Sequence, residues 1–244
     1  MLDNLVVIQY KGGRCGEFLT GYLSQHADCK SVDYVWNEKT NTYNVHDELR
    51  NYLKHLYTVD IELVANLLDP DSKNITSTYY SSSRDQLLEK VNFFKQVFLE
   101  NSASVFVSHS SNHNIFFDCM LMIKHWFKIM PTGNKRWRDE FKDCNTVIDF
   151  LDVTGLSSTG ESSFNKFLIS GGIPVLDLDQ LFFDKNYSIW LELLTKLNIE
   201  PRDDFEKILS EYHSKNMDLA EKCSIPLGVN TDDQWFKEWC LKHG

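Results

Sequence analysis

Positive charge is scarce in this 244-residue sequence: 25 Lys and Arg stand against 35 Asp and Glu, a formal net charge of -10. An acidic surface repels a nucleic-acid backbone and an anionic membrane alike, so neither is expected as a main partner. Long apolar runs are missing too. None approaches the roughly 20 residues needed to cross a bilayer, and Asp3 stands where a secretory leader would carry positive charge. The expected location is cytoplasmic. The six cysteines (Cys15, Cys29, Cys119, Cys144, Cys223, Cys240) include no C-x-x-C pair, which fits reduced thiols better than bridges or a zinc site, and no metal is implied. With only 5 Pro and 11 Gly the chain is no low-complexity or collagen-like polymer. Its 42% hydrophobic content instead supplies a sizeable core.

Leu5 to Tyr10 is a short apolar run rich in β-branched residues, ended by Lys11-Gly12-Gly13-Arg14-Cys15-Gly16. This reads as a buried parallel strand and a glycine loop. Phe18, Leu19, Tyr22 and Leu23 then recur at helical spacing, with Glu17 in the first turn. Helices are expected within 47–68 and over 84–99, and a second buried strand over 103–108, with His109 to His113 beyond its C-terminal end. The polar stretch 72–83 reads as a loop or an edge strand. Further on, 116–130 predicts a buried helix, 147–153 a strand, 155–163 a loop, 164–169 a short helix and 173–178 a strand. Two closing helices, 187–197 and 203–222, flank the Pro201 break. The alternation predicts an α/β fold: one domain over 1–244 with a parallel sheet, helices on both faces, and an irregular or helical insertion around 32–83.

Two constellations carry candidate chemistry. In the loop Lys11 to Glu17, glycines let backbone N–H groups converge on an anion, the helix start adds partial positive charge, and Lys11 or Arg14 can neutralise a phosphate. The same glycines also suit a tight turn that only permits packing. The loop matches neither G-x-x-x-x-G-K-[ST] nor G-x-G-x-x-G, which disfavours Mg-dependent nucleotide hydrolysis. The second constellation is His109 with Ser108, Ser110 and Ser111 at a strand end, where open α/β sheets place ligands. An imidazole there is a proton acceptor near neutral pH; alternatively it caps the strand. A zinc site from His109, His113 and Cys119 lacks the acidic residue of H-E-x-x-H. No G-x-S-x-G elbow is present to expose a nucleophilic serine.

In the order and spacing of three segments the chain resembles the sulfotransferase family: Val6 to Leu19, Val105 to His109, and Ile173 to Phe182 followed by Trp190 to Ile199. That resemblance implies a P-loop-like, three-layer fold binding the sulfonate donor PAPS (3'-phosphoadenosine 5'-phosphosulfate) without a metal. By it, Gly12, Gly13, Arg14, Cys15, Gly16 and Glu17 surround the donor's phosphosulfate, with Ser108 and Ser110 as further donor contacts. Lys11 or Arg14 stands in for the loop lysine that stabilises the leaving phosphate. His109 matches the histidine that takes the proton from a hydroxyl or amine acceptor. Cys15, Gly16 and Glu17 depart from the family, offering no hydroxyl for the sulfonate and one carboxylate close to it. For the 3'-phosphate, Ser108, Ser110, Arg84 and Arg136 are candidates by residue type. Similar short chains occur in marine bacteriophages and cyanobacteria, which implies a host-cytoplasm or virion location.

The expectation is therefore a sulfotransferase. Its alternatives are a fold that kept binding and lost chemistry, such as a phage virion or host-takeover component, and a nucleotide or metabolite kinase with a degenerate loop. Asn134 to Arg138 reads as a solvated helix face or an anion contact. Trp235, Phe236 and Trp239 form an apolar stripe that docks the tail onto the core or onto a partner, such as a second copy in a homodimer.

Overall fold

The structure is a computed structural model describing residues 1–32, 34–37, 42–45, 61–78, 87–112, 114–129, 143–153, 159–225 and 233–243. Strand β1 (Leu5–Tyr10), buried at every position, leads through the glycine loop into α1 (Gly16–Leu23). Then follow β2 (Cys29–Ser31), a two-stranded antiparallel pair of β3 (Tyr34–Asn37) and β4 (Thr42–Val45), α2 (Ile61–Leu67) and β5 (Lys73–Thr78). Helix α3 (Leu87–Phe94) runs on into a π-helical turn, Lys95–Leu99, before β6 (Ser104–His109) and α4 (Ile115–Ile129). Helices α5 (Val147–Val153) and α6 (Thr159–Ser170), strand β7 (Val175–Asp177) and a second π-helical turn, Asp179–Phe183, precede α7 (Ser188–Lys196), α8 (Phe205–Lys222) and α9 (Asp233–His243).

Five strands form one parallel sheet in the order β2-β5-β1-β6-β7. Pleating sends alternate residues of each strand to opposite faces. Val6 and Ile8 of β1 and Phe106 of β6 enter one core with α1, α4, α5, α7, α8 and α9. Leu5 and Val7, with Val105 and Val107, enter the other with α2, α3 and α6. This is the expected three-layer α/β architecture. From β1 the chain moves out to β2 and returns through β5, then crosses to β6 and β7 on the other side. The crevice between the carboxyl ends of β1 and β6 is thus where the strand order reverses, the usual place for a ligand in an open parallel sheet.

Several expectations need correcting. The strand predicted over 147–153 is helix α5, because Val147, Phe150 and Leu151 fall on one helical face and Thr146 caps the helix. The Thr146 Oγ1 accepts from the Asp149 N–H at 3.0 Å, while an Asp149 oxygen accepts from the Thr146 and Asn145 N–H groups at 2.9 Å each. Within 72–83, the described part is neither loop nor edge: β5 lies inside the sheet between β2 and β1. Its polar residues Asn74, Thr76, Ser77 and Thr78 are buried, so no apolar run marked it. Asn74 closes the preceding turn, its amide donating to the carbonyls of Asp69 and Ser72. The loop expected over 155–163 gives way to α6 from Thr159 onward, and the last strand is shorter than 173–178. Of the helices expected within 47–68 and 84–99, residues 47–60 and 84–86 lie outside the described residues.

At the C-terminus, Phe236 and Trp239 are buried in the first core, and the Trp239 ring meets Trp126 of α4 edge-on at 5.2 Å. The tail therefore docks on its own chain, as one of its two readings held. Among the described residues, no helix is long and apolar enough to cross a membrane.

Candidate ligand site over the glycine loop

The turn after β1 is closed by a hydrogen bond from the Arg14 N–H to the Lys11 carbonyl at 2.9 Å. Gly13 (φ 82°) and Cys15 (φ 60°) both adopt left-handed backbone. A Cβ on Gly13 would lie 2.7 Å from the Phe117 carbonyl oxygen, and one on Gly16 would lie 2.2 Å from the Tyr10 ring. Both glycines thus serve close packing, of the loop on α4 and of the first turn of α1 on the end of β1. The two readings of the loop are compatible: the turn is tight, and its backbone still borders open space.

That space is a cavity of about 370 Å³ bounded by the loop (Gly12, Gly13, Cys15, Gly16, Glu17), by α4 and by α8, within the usual range for small-molecule sites. Aromatic rings dominate its wall: Tyr10, Phe18, Phe116, Phe117, Phe182 and Tyr212. Tyr212 stacks on Phe18 at 3.6 Å between centroids and donates its hydroxyl to the Cys15 sulfur at 3.7 Å. Burial pushes the Cys15 thiol up to about 11 against the pull of that hydrogen bond, so at neutral pH it is a thiol and no nucleophile. His213 stacks on Phe182 at 5.4 Å and meets Phe183 edge-on at 5.0 Å. Its pKa is lowered, by burial first and then by Lys185, which keeps the ring neutral at pH 7.

Lys124 reaches the same cavity from α4. Its ammonium donates to the Asn216 Oδ1 at 2.9 Å and sits 5.9 Å from the centroid of the Tyr212 ring. Desolvation lowers its pKa, and Cys15 and Glu17 act in the opposite direction.

Lys11 and Arg14 do not line the cavity. Both turn to Asp118 of α4: Arg14 Nη2 lies 3.1 Å from one carboxylate oxygen and Lys11 Nζ lies 3.7 Å from the other. The Arg14 guanidinium is buried and also lies over the Phe117 ring at 5.3 Å, and its Nη1 has no hydrogen-bond partner among the described residues. The serines at the end of β6 are engaged as well. Ser108 Oγ donates to the Arg14 carbonyl at 2.6 Å, which fastens the loop to β6. Ser110 Oγ donates to Asp179 at 2.6 Å and accepts from the Asn114 N–H at 3.0 Å, which joins the ends of β6 and β7. His109 pairs in register with Asp177 of β7 and does not line the cavity. His113, Arg84 and Arg136, with all of Asn134 to Arg138, lie outside the described residues. Among the described residues, no group of three or more His, Cys, Asp or Glu is placed to hold a metal ion.

Lys124, Tyr212, His213 and Asn216 are the polar lining residues that sequence patterns did not single out. One signal existed, the interruption of the apolar run Cys119 to Ile123 by Lys124. The α8 residues lie i, i+1 and i+4 apart on a helix whose mean composition is polar, so nothing separates them from an ordinary solvated face. No protein-family model, curated protein or solved structure matches the chain; what stands is a parallel α/β fold with helices on both faces.

Proposed function

We propose that the protein binds a small organic anion in the cavity over the glycine loop, and that PAPS, the ligand implied by the resemblance to sulfotransferases, is of the right class. One observation carries the reading: a cavity of small-molecule size opens on the glycine loop at the point where the strand order reverses. Features of the loop fit a phosphate or sulfonate group. Two left-handed residues shape its backbone, which borders the cavity at Gly12, Gly13, Cys15 and Gly16. PAPS would bring a transferable sulfonate to this site.

The lining favours binding over transfer. His109, the base expected for an acceptor, stands outside the cavity, and the two loop cations that would meet a leaving phosphate already face Asp118. Calorimetric titration with adenosine 3',5'-bisphosphate, with AMP and ATP as controls, tests the reading. Saturable binding that requires the 3'-phosphate is the expected result. Absence of binding to all three nucleotides refutes the nucleotide assignment, and binding of ATP alone with Mg²⁺ redirects it to a kinase.

A further inference from the structure

Only two of the cavity's described lining residues carry formal charge at neutral pH, Glu17 and Lys124. Glu17 stands in the first turn of α1. No carboxylate forms an ion pair with Lys124 among the described residues. Its ammonium is nevertheless held in place. It donates to Asn216 Oδ1 at 2.9 Å, and the Asn216 amide is itself fixed by donating to the Tyr212 carbonyl at 3.0 Å. The cation is thus oriented by a neutral acceptor beside an aromatic ring; Glu17 acts on it only through space among the described residues, and further N–H donors remain for a ligand. Around it the wall is made of flat rings, and the His213 imidazole makes no hydrogen bond among the described residues.

We infer that Lys124 anchors the anionic group of an aryl ligand, a carboxylate or sulfonate, whose ring packs among Phe116, Phe117, Phe182 and Tyr212. Among the described lining residues Lys124 is the one cation, and one cation matches a single negative charge. Neutral His213 offers one N–H donor and one ring-nitrogen acceptor to a polar substituent on the ring. Lys11 and Arg14 take no part, since Asp118 holds both of them outside the lining. The inference shares with the proposed function only the assignment of this cavity as a ligand site.

Its test is calorimetric titration of the full chain with naphthalene-2-sulfonate and with the neutral isostere naphthalene-2-sulfonamide, on wild type, Lys124→Met and Lys124→Arg. Lys124 is an exposed residue outside both hydrophobic cores, so both variants are expected to fold. The sulfonate should bind saturably at one site, weaken about tenfold in Lys124→Met and change little in Lys124→Arg, as loss of one charge-assisted hydrogen bond requires. The sulfonamide should bind more weakly and equally to wild type and Lys124→Met. No saturable sulfonate binding, or equal sulfonate affinity in wild type and Lys124→Met, overturns the inference. Adenosine 3',5'-bisphosphate titrated in parallel separates the two readings. Nucleotide binding indifferent to Lys124, with no aryl sulfonate bound, keeps the proposed function and removes the anchor. Lys124-dependent sulfonate binding without nucleotide binding does the reverse.

Discussion

Asp118 balances the charge of the glycine loop, with Arg14 on one carboxylate oxygen and Lys11 near the other. Arg14 is only 4% exposed, so removing its partner strands a cation away from water. Asp118→Ala should cost about 3 kcal/mol in urea unfolding, whereas Lys11→Ala, at the exposed end of the triad, should cost under about 1 kcal/mol. Equal losses would mean that the three groups share the burden evenly. A second residue-scale effect follows from the histidines. His26 is buried and its Nδ1–H donates to the Glu200 carbonyl at 2.7 Å; burial, as the leading cause, lowers its pKa, as it does for His213. Below about pH 6.5 the unfolded chain takes up a proton at each site while the folded chain resists, so stability falls as pH falls through that range. Urea unfolding should therefore show a less stable protein at pH 5.5 than at 7.5, with a smaller difference in a His26→Gln variant. Asp69, Asp149 and Asp204 have lowered pKa values; what they contribute is present above the unfolded carboxylate range and lost only in stronger acid, outside this window. At this scale the loop was legible in the sequence because glycines and cations cluster there. The commitment of both cations to Asp118 was not, since that aspartate lies 104 residues from Arg14.

Elements were legible wherever apolar periodicity was strong. Strand β1 and helix α4 needed nothing but their own residues, while α5 and β5 show two ways in which local pattern misleads. In Val147–Val153 the β-branched ends suggested a strand, yet the decisive signal was the capping pair Thr146 and Asp149, which satisfies N–H groups at the helix start reciprocally. If that pair holds the helix, Thr146→Ala should destabilise the protein by about 1 kcal/mol, and Thr146→Ser should restore most of it. Thermal unfolding of the two variants measures the difference; no loss in Thr146→Ala would assign the helix to packing of Phe150 and Leu151 alone. Strand β5 failed for the opposite reason. Its interior place comes from pairing with β1 on one side and β2 on the other, a long-range arrangement to which its own polar side chains give no clue.

At the scale of the molecule, the sheet lies between two separate cores of described residues. The cavity lies on the face covered by α1, α4 and α8, so ligand affinity and stability should respond differently to changes on the two sides. Phe164 of α6 belongs to the far core, where its ring meets Phe94 edge-on at 5.3 Å. Phe182 belongs to the near core and to the cavity wall, and stacks on His213. Phe164→Leu and Phe182→Leu remove similar ring contacts from buried positions and should each lower stability by about 1 kcal/mol. Their effects on naphthalene-2-sulfonate should part company. Phe182→Leu removes an aromatic wall and should weaken binding about fivefold, while Phe164→Leu acts through no shared contact and should leave affinity within about twofold. Parallel unfolding and titration of both variants decide the matter. An affinity loss in Phe164→Leu as large as that in Phe182→Leu would show that the sheet transmits packing changes from one core to the other, and that the site depends on both layers of helices.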